Sequence, residues 1–159
     1  MLDQRTIPQT TYDWQAETRV EPIAHREIAY ALLRVTLSMV FLVAGIGKFM
    51  MGIGVFAASL QQEFAGKLPM ALVTAFAYAL PFAEVLTGAL LLLGLFNVAA
   101  LALAGLMMIA LTFGTAMKPD PPTMAHNVSY GLVIFVLLWL ARYNGYSLDR
   151  LRAGGRRER

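Results

Sequence analysis

Four long stretches of the chain are almost entirely apolar or small, and short polar segments separate them. They cover roughly residues 28–49, 73–96, 98–117 and 126–143. Each approaches the ~20 residues that an α-helix needs to cross the hydrocarbon core of a bilayer. The second and third are separated by only a few residues around Phe96, which indicates a tight antiparallel hairpin. The pattern predicts an all-α bundle of four transmembrane helices.

The segments between the spans add further elements. In the first loop Phe56, Leu60 and Phe64 recur every four residues, which is typical of a short amphipathic helix lying on the outer membrane surface. The third loop has three prolines between residues 118 and 123, so we expect it to be non-helical. After the fourth span, Ser147 is placed to cap a short surface helix.

Composition supports the membrane interpretation. Hydrophobic residues make up 58% of the 159 positions and charged residues 14%, whereas a soluble domain of this size is about one quarter charged. We therefore expect an integral membrane protein that has the lipid bilayer as a partner. We expect no signal peptide, because residues 1–24 are polar.

Charge predicts the orientation of the bundle. Arginines concentrate in the two tails, while the loops after the first and third spans carry only Lys67 and Lys118. Because positively charged segments remain in the cytoplasm, both termini are predicted to be cytoplasmic. The chain then divides into a polar N-terminal tail over residues 1–24, a four-span membrane domain over 25–145 and a basic C-terminal tail over 146–159. The basic tail fits anionic lipid headgroups rather than nucleic acid.

Several kinds of chemistry are excluded by counting. The chain has no cysteine, so it forms no disulfide, thiolate–metal site or iron–sulfur cluster. Its two histidines, His25 and His126, are predicted on opposite sides of the membrane and do not ligate one haem together. We predict no metal site and no covalently bound cofactor, and we find no catalytic triad or nucleotide-binding glycine motif.

A few ionisable residues interrupt the spans, where such groups are costly and usually face the interior of a bundle. They are Arg34, Lys48, Glu84 and His126. On the first span, Arg34 and Lys48 share a narrow stripe with Ser38 and Gly45, and on the second span Glu84 shares a face with small residues. The members of that second face are Ala77, Pro81, Glu84 and Gly88. We expect these two small and polar faces to pack together.

The lean of helical side chains suggests the partner of Glu84. Side chains tilt towards the N-terminus of their helix, so Lys48 leans back into the membrane and Glu84 leans outward to meet it. Arg34 leans towards the cytoplasm, where it would reach the lipid headgroups. We predict a pair between Lys48 and Glu84, direct or through water. Glu84 then either carries protons or fastens the helices, and Pro81 is expected to kink the second span.

A polar group near the outer end of the fourth span offers a candidate ligand site. His126 and Tyr130 are one helical turn apart and Asn127 adds an amide. With Tyr78 and the Lys48–Glu84 pair, they are predicted to line an outward-facing pocket suited to a quinone headgroup. The alternative is that His126 and the tyrosines only form an aromatic belt at the water interface.

Three segments carry a resemblance to a known family. LLRVTLSMVFLVAGIGKF resembles the first-span signature of the DoxX-like family, PFAEVLTGALLLLGLF its second-span signature, and YSLDRL its C-terminal ending. The matching positions are Arg34, Gly45, Lys48, Pro81, Glu84, Gly88 and Gly94. This resemblance implies a four-helix protein of the bacterial or archaeal cytoplasmic (inner) membrane in a quinone-linked redox setting, because the family includes subunits of a thiosulfate:quinone oxidoreductase.

Three functions remain open at this point, and catalysis by the chain itself is undecided. The first is a quinone-binding component of a membrane oxidoreductase, in which Glu84 relays protons and Lys48 or His126 polarises a quinone carbonyl. The second is a non-catalytic anchoring subunit of a larger membrane complex, whose N-terminal tail with Tyr12 and Trp14 binds neighbouring subunits. The third is a small-solute carrier gated at Glu84 and Lys48.

Overall fold

The fold is a bundle of α-helices, seen in a computed structural model that describes residues 14–118 and 120–150, with side chains from residue 24 onward. Its elements are α1 (Trp14–Met51), α2 (Ile53–Glu63), α3 (Met70–Leu93), α4 (Asn97–Ala116), α5 (Pro121–Trp139) and a short 3₁₀ turn (Ala141–Tyr143). Four segments are long and apolar enough to cross a membrane: Ala24–Met51, Met70–Leu93, Asn97–Ala116 and Pro121–Trp139. The predicted all-α fold with four membrane-spanning helices is confirmed. The cytoplasmic placement of both termini stays a prediction.

The first helix is longer than its apolar stretch. It begins at Trp14 and runs for 38 residues, so it passes through the predicted boundary between the N-terminal tail and the membrane domain. Good helix formers such as Ala16 and Glu17 favour this extension. Tyr12, which we expected to act with Trp14 in binding a neighbour, lies outside the described residues, as do residues 151–159 of the C-terminal tail.

The last span begins earlier than predicted, at Pro121 rather than near His126. Proline is tolerated in the first turn of a helix, because the N–H group that it lacks has no helical partner there. Asp120 caps this turn by accepting a hydrogen bond from the Thr123 N–H at 3.2 Å. The prediction that the whole proline-rich loop is non-helical was therefore wrong from Pro121 onward.

The cap on α5 makes bundle stability depend on pH. Hydrogen bonds from Thr123 hold the pKa of Asp120 below its usual range, so the stabilisation is present above the unfolded pKa of about 4 and disappears as the pH falls through the lower folded value. We expect the melting temperature in detergent to drop between pH 7 and pH 2, and the drop to be smaller in Asp120→Asn, which does not titrate. An equal drop in both proteins would contradict this role for the cap.

Apolar side chains lie both in the core of the bundle and on its outer surface, as expected for a protein in lipid. Its core is a cluster of apolar side chains from α1, α3, α4 and α5 that includes Leu37, Phe41, Leu80, Leu91, Leu101 and Leu137. Large apolar side chains also cover the outside, among them Val43, Phe82, Leu106, Ile109 and Trp139. A soluble protein rarely exposes so much apolar surface, so this outer surface is the face that contacts lipid.

The predicted amphipathic helix in the first loop is α2. Ala57 and Phe64 are buried, and Phe56 packs against the edge of the core. Gln61 Nε2 donates a hydrogen bond to Thr74 Oγ1 of α3 at 2.8 Å. An ion pair between Glu63 and Lys118 connects the end of α2 to the segment after α4, so this helix covers one end of the bundle.

Candidate functional site

The candidate site lies where α1 and α3 cross at close range. At Gly88 an added Cβ would lie 2.7 Å from Leu42 Cγ and 3.0 Å from the Leu42 backbone nitrogen. At Gly45 an added Cβ would lie 2.7 Å from Val85 Cγ2 and 3.0 Å from the Val85 nitrogen. Backbones approach this closely only where one side contributes glycine. The small faces expected from the sequence do pack together.

Lys48 and Glu84 form a direct ion pair at this crossing. Lys48 Nζ lies 2.8 Å from both carboxylate oxygens of Glu84 and donates a further hydrogen bond to the Ala44 carbonyl at 3.2 Å. The side chain of Glu84 is only 4% exposed and that of Lys48 is 19% exposed. The lysine ammonium is also 5.4 Å from the ring centroid of Phe56 on α2. One ammonium thus satisfies both carboxylate oxygens and links three helices.

A second polar contact reinforces the same interface. Ser38 Oγ donates a hydrogen bond to the Gly88 carbonyl at 2.8 Å, and both groups are buried. The α1–α3 contact therefore combines close backbone packing with buried hydrogen bonds.

Pro81 lies inside α3, which is helical without a break from Met70 to Leu93. Because proline has no N–H, the Ala77 carbonyl lacks its usual helical donor.

Arg34 does not reach towards lipid headgroups, and that expectation was wrong. It is 3% exposed, and its Nη2 donates a hydrogen bond to the Tyr146 carbonyl at 2.7 Å. The guanidinium also lies directly against Gly94, where any Cβ would overlap with it. The segment after α5 folds back and supplies the acceptor, so the charge stays inside the protein.

The same segment forms a cluster that sequence reasoning missed. Asp149 accepts hydrogen bonds from the backbone N–H groups of Phe96 and Asn97, each at 3.0 Å, which caps the start of α4 with a negative charge. Arg150 pairs with Glu27 of α1 at 2.6 Å. We name residues 144–150 the return segment. The one signal available was Ser147, whose Oγ accepts from the Arg150 N–H at 3.4 Å as predicted.

The four residues predicted to hold a quinone differ from one another in exposure and in their contacts. Tyr78 is 48% exposed and His126 is exposed, whereas Tyr130 packs against the edge of the core. Asn127 is buried, with its Nδ2 3.4 Å from Thr115 Oγ1 of α4. Two cavities, one between α2, α3 and α4 and one between α1 and α5, are lined by other side chains. A quinone site at these positions stays a prediction.

Metal chemistry has no evident site in the part of the chain that the structure describes. Among residues 24–118 and 120–150, no group of three or more His, Cys, Asp or Glu side chains is placed to hold a metal ion. The buried ionisable groups instead contact other parts of the protein: Lys48 and Glu84 join α1 to α3, and Arg34 binds the return segment.

Four apolar helices joined by buried polar contacts define a multi-pass membrane protein. Residues 26–118 match the model of the family described as methylamine utilisation protein MauE. The match covers more than half of the chain, so this protein belongs to that family. No curated protein matches the chain, and no solved structure matches it either.

This membership overturns the resemblance to the DoxX-like family. The matched region contains both span segments that suggested the resemblance, and they belong to a different membrane family. The physical reason is that small residues at a helix contact, with a few polar groups beside them, recur wherever membrane helices pack closely. Such short segments identify a class of helix packing and not one family.

Proposed function

We propose that this protein is a non-catalytic accessory component of a membrane system for methylamine utilisation, in the cytoplasmic membrane of a bacterium or archaeon. The class of system follows from the family, whose description names methylamine utilisation. The accessory role is supported by the geometry of the Lys48–Glu84 pair, in which one ammonium holds both carboxylate oxygens. The partners are other proteins of the same system.

The enclosed position of the ion pair favours an accessory role over a catalytic one. A proton relay or a substrate site needs a carboxylate that a proton donor or a ligand can reach. Glu84 is almost fully enclosed and faces Lys48, and neither residue lines the cavity between α2, α3 and α4 or the cavity between α1 and α5. A buried pair of this kind aligns helices and fixes their register, which is what a scaffold for other subunits requires.

The proposal is tested by growth of a strain that lacks the gene. We expect this strain to lose growth on methylamine as sole nitrogen source and to keep growth on ammonium. The wild-type gene restores growth, and the protein, purified in mild detergent, brings other membrane proteins with it in fixed ratio. Normal growth of the deletion strain on methylamine would refute the proposal.

A charge-free variant separates an accessory role from a catalytic one. In Lys48→Met/Glu84→Met both charges are removed together, which leaves no unpaired ion in the bundle. If the protein is an accessory component, the gene with both changes should still restore growth of the deletion strain on methylamine. Loss of growth with an unchanged amount of protein in the membrane would favour a proton relay instead. Quinone in the lipid extract, or solute uptake by the chain alone in liposomes, would likewise contradict the accessory role.

A further inference from the structure

A cavity lies at the end of the bundle opposite α2. It has a volume of about 290 Å³ and opens between α1, α5 and the 3₁₀ turn. Its apolar wall consists of Ala29, Leu33, Leu137 and Leu140, and Tyr30 closes it towards the core. Two arginines, Arg26 and Arg142, lie on its rim with Tyr143. The cavity therefore has an apolar interior and a positively charged edge.

The two arginines converge on one aromatic ring. Arg26 Nη1 donates a hydrogen bond to the Tyr143 hydroxyl at 2.9 Å, and this bond holds the pKa of the hydroxyl below its usual range. The Cζ atoms of Arg26 and Arg142 lie 5.6 Å and 4.7 Å from the centroid of that ring. Two guanidinium groups that share one phenol ring repel each other, so an anion between them would be stabilised.

Among residues 24–118 and 120–150, whose side chains the structure describes, no carboxylate forms an ion pair with either guanidinium. The ion pairs found there join Lys48 to Glu84, Lys118 to Glu63 and Arg150 to Glu27. Glu27, the acidic neighbour of Arg26 in sequence, is thus already paired with the return segment. Both arginines are exposed, so they keep their donors available to a ligand from outside the chain.

From this geometry we propose that the cavity between α1 and α5 binds one anionic phospholipid. The phosphate lies between Arg26 and Arg142, because guanidinium groups bind phosphate oxygens in pairs. An acyl chain lies along the wall formed by Ala29 and Leu137. Basic pockets between membrane helices are typical sites for acidic lipid headgroups. The proposal rests on this cavity alone and is independent of the function proposed above.

A comparison with the other cavity explains the assignment. That cavity lies between α2, α3 and α4, and its volume is about 260 Å³. Its one cationic lining residue, Lys118, is paired with Glu63 and lies 5.0 Å from the ring of Phe64. It therefore has an apolar wall without a free positive charge. Of these two cavities, the α1–α5 cavity is the one that combines an apolar wall with a positively charged rim, as an anionic lipid requires.

The proposal is tested by lipid binding to the purified full-length chain in mixed micelles of a nonionic detergent. The ligands are phosphatidylglycerol, phosphatidylcholine and inorganic phosphate, and binding is followed by native mass spectrometry and by the melting temperature. We expect wild type to bind phosphatidylglycerol in preference to phosphatidylcholine. The double variant Arg26→Gln/Arg142→Gln should bind phosphatidylglycerol roughly 25-fold more weakly, or about fivefold for each arginine near an anionic surface.

Two further variants make the result specific. Lys67→Gln removes one positive charge at the far end of the bundle and should leave phosphatidylglycerol binding unchanged. Ala29→Phe keeps both arginines but fills the apolar wall, and should weaken lipid binding by itself. Equal binding by wild type and the double arginine variant would overturn the proposal. So would equal binding of phosphatidylcholine, or displacement of the lipid by millimolar inorganic phosphate.

Discussion

Replacing Glu84 with methionine alone is expected to lower the free energy of unfolding by about 3–5 kcal/mol, because it leaves Lys48 charged and unpaired inside the bundle. Lys48→Met should cost a similar amount, since it leaves a buried carboxylate whose two oxygens have lost their donor. The double variant should recover most of this loss. Titration with a denaturing detergent, followed by helix content, measures all four proteins of the cycle.

The control is an ion pair that is similar in chemistry but not in burial. Glu63 pairs with Lys118 at the end of the bundle, and its side chain is 44% exposed. Because exposed pairs contribute only about 0–1 kcal/mol, Glu63→Met should have a small effect. If Glu84→Met and Glu63→Met had equal costs, or if the Lys48 and Glu84 effects were simply additive, the pair would not be the fastening between α1 and α3.

Gly88→Ala is expected to cost about 1–3 kcal/mol, because one added methyl group overpacks a contact that already includes backbone. The new Cβ would lie 3.0 Å from the Leu42 nitrogen, and a backbone atom moves only if the whole helix moves. Gly45→Ala should behave alike, since its Cβ would meet the Val85 nitrogen at the same distance. The same denaturing-detergent titration gives both values.

Gly47 provides the matched control on the same helix. A Cβ at Gly47 has nothing within 4 Å, so Gly47→Ala should stabilise the protein by up to about 1 kcal/mol through helix propensity alone. The sign of the effect should thus reverse between Gly45 and Gly47, which are two residues apart. Destabilisation of equal size at both positions would mean that the glycines act through backbone flexibility and not through close packing.

The sequence was sufficient to predict the number of spans and the partner of Glu84, though not the residue at which the last span begins. Both depend on local geometry, since an apolar run of about 20 residues is long enough to cross a bilayer and helical side chains lean in a known direction. The start of α5 was missed because the three prolines of the loop were interpreted as breakers, whereas Pro121 and Pro122 lie in the first turn. That distinction depended on Asp120, whose capping role the apolar pattern does not reveal.

The environment of Arg34 was beyond prediction for a different reason. Its acceptor is the Tyr146 carbonyl, 112 positions further along the chain, and nothing in the pattern around either residue indicates the other. A basic tail normally stays in water or against headgroups, so the return segment was interpreted as a surface tail. Family membership was missed because the span segments reflect helix packing that many membrane families share.

The return segment also has a consequence for how the protein is made. Residues 144–150 are translated after all four spans, yet they supply the acceptor for Arg34 of the first span and the carboxylate that caps α4. During synthesis, the first and third spans leave the ribosome while Arg34 and the start of α4 still lack these partners. The contacts at this end of the bundle therefore form only after the fourth span has been synthesised.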